Sequence, residues 1–372
     1  MDHVKRRQME SGMKQTVNRL FAAVLMSLTI IGAVSTSRAE AGDVRLQGAG
    51  ATFPNPLYQL WVSEYQKAHP NIKIDYQSIG SGGGIKGITE KTIHFAGSDA
   101  PLNKKEIEAM GADNVVQVPS CAGAVVPAYN IAGVTVPIKF TGEVLADIYA
   151  GKISKWNDAK IAELNTGVQL PDAGITPVWR SDGSGTTYVF TNYLASQSET
   201  FKGKIGAGKQ VQWPVGQGGK GNEGVAAAVQ QTTGAIGYIE LNYALANKIP
   251  FGEVRNKHGK FVKASPETVS AAGEGVAGEL KGSILAGNIW NQPGEKSYPI
   301  SSFTYLIFYK DLATAKNDEE ARALVGFVNW CMSDGQKLAK DRDYAPLSEA
   351  VKGKVADALK GLTYEGKPIG PK

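Results

Sequence analysis

At 372 residues, 42% hydrophobic and 20% charged, the chain has room for about two domains of ordinary size and the balanced composition of a soluble globular protein. The formal net charge of +5 is inflated by the first 41 residues, which hold six basic residues (Lys5, Arg6, Arg7, Lys14, Arg19, Arg38) and three acidic ones (Asp2, Glu10, Glu40), so the remainder carries +2. With no basic stripe and no run of like charges left, composition argues against nucleic acid as a partner, and any anion must be attracted locally.

The first element is a leader. Charges at Lys5, Arg6, Arg7, Lys14 and Arg19 precede the apolar run LFAAVLMSLTIIGAV, Leu20 to Val34, which is shorter than the about 20 residues a spanning helix needs. Residues 1–41 therefore read as a signal peptide, with small-residue cleavage points after Ala39 and after Ala41; a retained membrane anchor is the rival reading. No cysteine follows at a lipid-attachment position. The expected location is a periplasm.

Strand, turn and helix then alternate. DVRLQG predicts a strand, AGATFPNP a turn, and Leu57, Leu60, Trp61 and Tyr65 the buried face of a helix from about Pro56 to Ala68. NIKIDYQSI predicts a second strand, followed by the glycine turn GSGGG and a helix. HFAGSDAPL ends a third strand at Ser98 and Asp99, before a helix from about Asn103. Such alternation implies a parallel sheet, with ligands at the carboxyl ends of its strands, where all three turns lie.

AGAVVPAYN, Ala122 to Asn130, reads as a strand leaving this first sheet, and SYPISSFTYLIFYK, Ser297 to Lys310, as one returning. Between them stand the helix EVLADIYAG, the strand ITPVW leading into RSDGSGTTYVFTNYL, the glycine-rich WPVGQGGKGNEGVAAAVQ and the strand GAIGYIE, enough for a second α/β domain. EEARALVGFVNWCM and VKGKVADALKGL predict two closing helices.

Several motifs offer chemistry. Gly82, Gly84 and Gly87 match G-x-G-x-x-G after a strand, which keeps a dinucleotide site in view. GQGGKGN has no Ser/Thr after Lys220 and is no Walker A loop. His69, His94 and His258 lack metal spacing, and neither Ser81 nor Ser184 sits in a G-x-S-x-G elbow, so catalysis, metal and cofactor have little support. His69 reads as a helix-end residue, His94 and His258 as surface or strand-edge residues. Cys121 and Cys331 lie in apolar stretches, either bridged or as two unpaired core thiols.

What remains is a set of donors at turns: Thr52 and Phe53, Ser81, and Arg180 with Ser184, Gly185 and Thr186. Amides at a helix start, hydroxyls and a guanidinium suit an anion; a capped helix start with a stray arginine is the bland alternative. Asp99 stands out among them. Either it caps the next helix or it faces a ligand that carries its own proton.

At these residues the chain resembles the periplasmic phosphate-binding proteins of high-affinity phosphate ABC importers. GAGATFPNPLYQLW, YQSIGSGGGIKGI, FAGSDAPL, LADIYAGKISKWND, RSDGSGTTYVFTNYL, WPVGQGGKGN and GAIGYIE stand in that family's order and spacing, over nearly all of the chain beyond the leader. The resemblance implies a two-lobed α/β fold, with domain one at residues 42–126 and 300–372, domain two at 127–299, and the ligand in the cleft. It implies phosphate ligands at Thr52, Phe53 (backbone amide), Ser81, Asp99, Arg180, Ser184, Gly185 (backbone amide) and Thr186, with Asp182 orienting the arginine. Gly82 departs from relatives that have a second serine there. The implied partners are a membrane permease and its ATPase, with the chain itself a non-enzymatic monomer. A binding protein for sulfate or molybdate and an exported phosphatase using Ser81 or Ser184 stay open as alternatives.

Overall fold

The computed structural model describes residues 43–371. The apolar run from Leu20 to Val34 and both cleavage points lie outside the described residues. Among the described residues no helix is long and apolar enough to cross a membrane.

The chain runs β1 (Val44–Gly50), α1 (Asn55–Ala68), β2 (Ile72–Ser78), α2 (Ser81–Thr89), β3 (Phe95–Ser98), α3 (Lys104–Met110) and β4 (Val115–Tyr129). It continues through β5 (Lys139–Phe140), α4 (Gly142–Tyr149), α5 (Ala159–Leu164), β6 (Thr176–Arg180), α6 (Gly185–Gln197), α7 (Glu199–Lys204), β7 (Gln217–Gly219), α8 (Gly221–Gln231) and β8 (Ala235–Glu240). Then come α9 (Leu241–Ala246), β9 (Glu253–Arg255), β10 (Phe261–Val262), α10 (Pro266–Ala272), β11 (Ser301–Tyr309), α11 (Asp318–Met332), α12 (Asp334–Lys337) and α13 (Glu349–Lys360).

One eight-stranded sheet has the order β2-β1-β3-β11-β4-β8-β6-β7. β1 runs parallel to β2 and β3, and β6 runs parallel to β7 and β8, so two parallel groups flank the antiparallel pair β4 and β11. Every residue of β4 and β11 is buried, as expected of strands covered on both faces. β4 changes partner along its length. Val115 to Ala124 pair with β11, and Val125 to Tyr129 pair with β8. The strand begins seven residues before the expected Ala122, because VVQVPSC is as apolar as the AGAVVPAY stretch it leads into.

The glycines after β2 do not form a separate turn. Gly82, Gly84 and Gly87 lie inside α2, and a Cβ on Gly84 would sit 2.6 Å from Gly50 Cα, so the missing side chain lets helix and strand touch. That contact accounts for the glycine spacing without a dinucleotide. Asp99 caps no helix: α3 begins with an Asn103–Glu106 capping box. Cys121 and Cys331 are both buried and free. His94 sits at the start of β3, yet it is buried and not a surface residue, with Nε2 3.4 Å from Glu320 Oε1.

Candidate functional site

Both parallel groups end at the same place. Thr52 and Phe53 follow β1, Ser81 opens α2 after β2, Asp99 follows β3, Arg180 ends β6, and Ser184 caps α6, whose first residues are Gly185 and Thr186. Thr52, Phe53, Ser81, Asp99, Arg180, Ser184, Gly185 and Thr186 are all buried. The first turns of α2 and α6 carry no acidic residue, so their N-terminal partial charge is left for another anion.

Arg180 is held on all sides. Its Nε and Nη2 donate to Asp182 Oδ1 (2.8 Å) and Oδ2 (2.5 Å), its Nη1 donates to Thr186 Oγ1 (3.2 Å), and its backbone N–H donates to Tyr238 Oη (3.0 Å). Tyr238 is fixed in turn by stacking on Phe190, with ring centroids 4.4 Å apart. Asp182 also accepts the Gly221 N–H at 2.9 Å. Burial pushes the Asp182 carboxyl up, but the Arg180 bonds and charge outweigh it and hold the group below the usual aspartate value. Arg180→Lys keeps the charge and loses the planar fork, so anion affinity should fall about ten- to a hundredfold by calorimetry, as expected when a charged hydrogen bond of roughly 1.5–3 kcal/mol is lost. Unchanged affinity would place Arg180 outside the pocket.

Ser81, Asp99 and Gly185 join the two strand groups. Ser81 Oγ accepts N–H bonds from Asp99 (3.2 Å) and Gly185 (3.0 Å), and Gly82 N–H donates to Gly183 O at 2.9 Å. Asp99 Oδ1 accepts from Thr304 Oγ1 on β11 at 2.9 Å. Burial pushes the Asp99 carboxyl up to about 7; the Thr304 bond, the Arg180 charge and the Ser81 bond pull it down, and the Asp182 charge adds to the rise. Gly80, at φ 88°, starts α2 in the left-handed region that favours glycine, and a Cβ there would lie 2.3 Å from Asp182 Oδ2. Lys209, whose carbonyl accepts the Ser184 N–H at 2.9 Å, forms an ion pair with Glu106 of α3.

The remaining expected residues are placed differently from one another. Ser184 Oγ caps α6 by accepting Thr187 N–H (3.0 Å), and the Phe53 carbonyl accepts the Tyr344 hydroxyl (2.6 Å) beside a buried Glu240. Residues not singled out from sequence also enter the site. Asn222, second residue of α8, reaches Thr52 and Thr186; Tyr243 donates to Thr52 O at 2.6 Å; Thr304 holds Asp99. The GGKGN stretch carried a faint signal for Asn222, a small amide after glycines at a helix start.

Among the described residues no group of three or more His, Cys, Asp or Glu could hold a metal ion. The arrangement surrounds one carboxyl with amide, hydroxyl and guanidinium donors, which suits a small oxyanion that retains a proton.

A model of the PBP superfamily domain matches residues 34–335. The chain is 42% identical over 337 residues to the phosphate-binding protein PstS of Pasteurella multocida, covering 90% of this chain and 94% of the relative. It is 44% identical over 313 residues to the protein of the same name from Xylella fastidiosa, covering 84% of each. Among solved structures, the high-affinity periplasmic phosphate-binding protein PfluDING, bound with phosphate, superposes with a TM-score of 0.70 at 20% identity, covering 87% of this chain and all of that one. A phosphate-binding protein from Stenotrophomonas maltophilia gives 0.63 at 21% identity, with 84% and 92% covered. At those identities the structural likeness speaks for the two-lobed fold.

Proposed function

The chain belongs to the PBP superfamily and, within it, to the PstS phosphate-binding proteins, and from that membership we propose that it binds inorganic phosphate and delivers it to an ABC-type importer. One observation carries the ligand assignment: the buried Asp99 carboxyl stands among donors drawn from both strand groups. Ser81 Oγ accepts two N–H bonds, and its hydroxyl proton is directed to the Asp99 carboxyl, from which a bound oxyanion can draw it. A ligand therefore meets donors on most sides and a carboxyl on one. Phosphate near neutral pH fits both, since its bare oxygens accept and its remaining proton can be given to Asp99.

Phosphate takes Thr52, Phe53 N–H, Ser81 and Asp99 from one lobe and Arg180, Ser184, Gly185 N–H and Thr186 from the other, Gly185 N–H exchanging its bond to Ser81 Oγ for one to the ligand, with Asp182 aligning the guanidinium. The lobes of this reading are residues 42–126 with 300–372, and 127–299; the partner switch of β4 between Ala124 and Val125 supports a hinge there. Phosphate bridging both lobes stabilises the joined arrangement, which a membrane permease coupled to its ATPase then recognises. The leader residues 1–41 support a periplasmic site of action, and the monomer is the working form. A non-enzymatic role is supported by the histidines: His94 is buried with its Nδ1 accepting the Gln47 N–H, His69 ends α1, and His258 sits in the β9–β10 turn.

Calorimetry on dialysed protein with phosphate, arsenate and sulfate tests the reading. At about pH 9, where Asp99 is ionised, phosphate and arsenate are expected to bind at one per chain and sulfate at least about a hundredfold more weakly. Because the site is buried, phosphate affinity should change little between low and moderate salt, whereas an exposed patch is screened over about 8–10 Å. Sulfate binding as tight as phosphate would replace the assignment with a general oxyanion carrier, and turnover of a phosphate ester by pure protein would end the non-enzymatic one.

A further inference from the structure

The Asn222 side chain is fully buried and makes three hydrogen bonds that fix which way it faces. Its Oδ1 accepts the Glu240 backbone N–H at 2.9 Å. That N–H can only donate, so the carbonyl end of the amide must point at Glu240 and the NH2 end away from it. The two Nδ2 hydrogens then go to two hydroxyls, Thr52 Oγ1 at 2.7 Å and Thr186 Oγ1 at 3.3 Å. One follows β1 and the other begins α6, so a single amide joins hydroxyls from the two strand groups.

Counting donors shows what this does. A threonine hydroxyl has one proton and two acceptor positions. Thr52 Oγ1 accepts from Asn222 N–H (3.2 Å) and from Asn222 Nδ2; Thr186 Oγ1 accepts from Arg180 Nη1 (3.2 Å) and from Asn222 Nδ2. Both acceptor positions are filled in each, and every partner is a donor. The only hydrogen bond each oxygen can still make is through its own proton.

We infer that Asn222 is a positioning residue for anion recognition, one that need not touch the ligand: its amide turns the Thr52 and Thr186 hydroxyl protons toward the bound oxyanion, and Glu240 N–H sets the sense of that amide. This rests on the phosphate reading. The pre-set protons remove two rotors that binding must otherwise order, and they keep oxygen lone pairs from facing an anion.

The test is a double-mutant cycle read by phosphate calorimetry, with titrations extended to tens of millimolar. Asn222→Ala is expected to weaken phosphate binding about tenfold in the wild-type background and by less than about twofold where Thr52→Val and Thr186→Val have already removed both hydroxyls. A purely structural asparagine weakens binding by the same factor in both backgrounds, and that result overturns the inference. If Asn222→Ala does not fold, Asn222→Asp keeps the acceptor for Glu240 N–H and the shape; its added charge acts in both backgrounds, so the ratio of its two losses isolates the hydroxyl effect. A ratio above about five supports the inference, and a ratio of one overturns it. Failure of the wild-type protein to bind phosphate is a separate outcome, which sinks the functional reading itself before any variant is compared.

Discussion

At about pH 9, two units above the Asp99 value, replacing Asp99 with asparagine is expected to change the ratio of sulfate to phosphate dissociation constants by about a hundredfold in favour of sulfate. Asp99 Oδ1 already accepts from Thr304 Oγ1, and the carboxyl is buried beside Ser81 and Gly185. A ligand without a proton meets an acceptor there and has nothing to give it. Sites that leave a buried polar group unpaired against the wrong ligand can reject it by about 10⁴–10⁵. Asparagine can turn its NH2 toward the ligand, so the rejection is lifted while phosphate is still accepted.

The raised Asp99 value adds a pH signature with a definite sign. Burial pushes the carboxyl up to about 7, so its protonated form prevails below that and is lost as pH rises through it. Sulfate can bind only to the protonated form, and its affinity should fall about tenfold per pH unit above about 7. Phosphate affinity should stay nearly flat from slightly acid to slightly alkaline pH, since either the carboxyl or the ligand supplies the shared proton. The same shift makes the ligand-free fold lose stability as pH rises from the ordinary aspartate range through about 7, because the native state holds the proton that the unfolded state gives up. In Asp99→Asn the sulfate dependence should vanish. A ratio of constants unchanged within about twofold, or sulfate binding in wild type that ignores pH, would remove Asp99 from the account of selectivity.

Local patterning made most of the elements legible. Alternating Ile72, Ile74 and Tyr76 are the buried face of β2, and Leu57, Trp61 and Tyr65 lie on the buried face of α1, because a period of two or of 3.6 is a property of neighbours in sequence. The two-residue strands β5 and β10 were not legible, being too short to show a period. The glycine run looked like a turn because composition cannot distinguish a glycine needed for a positive φ, as at Gly80, from one needed for close packing, as at Gly84. His94 read as a surface or strand-edge residue because Glu320, which lies 3.4 Å from it, comes from α11, far along the chain. The site divides the same way. Residues grouped in one turn, Arg180 to Thr186, announced themselves as donors, whereas Asn222 acts on Thr52, 170 positions away, and Thr304 on Asp99, 205 positions away. No one-dimensional pattern encodes such a pairing.

Gly185→Ala should abolish measurable phosphate binding at micromolar concentrations while leaving the fold intact, a loss of about a thousandfold. Gly185 is the first residue of α6 and is not among the glycines with positive φ, so its backbone accepts alanine without strain. Within the helix alone alanine is favoured over glycine by roughly 0.5–1 kcal/mol. The obstacle lies across the site: a Cβ at this position would be 2.5 Å from Asp99 Oδ2, 2.5 Å from Ser81 Oγ and 2.6 Å from Asp99 Cβ. None of those atoms is the free end of a flexible chain, since Asp99 is tied to Thr304 and Ser81 begins a helix. Relief therefore requires the two strand groups to move apart by about 1 Å, because carbon in contact needs about 3.5 Å. That movement stretches the Gly185 N–H bond to Ser81, the Gly82–Gly183 bond and the Asn222–Thr52 bond together. An anion that must be gripped from both sides then loses about two charged hydrogen bonds at roughly 1.5–3 kcal/mol each, whichever side it stays with. Thermal unfolding separates this from general damage: the ligand-free protein should still unfold in one cooperative transition with a midpoint lowered by only a few degrees, while the upward shift that phosphate gives wild-type protein should disappear. A variant that kept its phosphate affinity within about threefold would show that Gly185 and Asp99 need not approach so closely, and that binding does not depend on joining the two strand groups at this point.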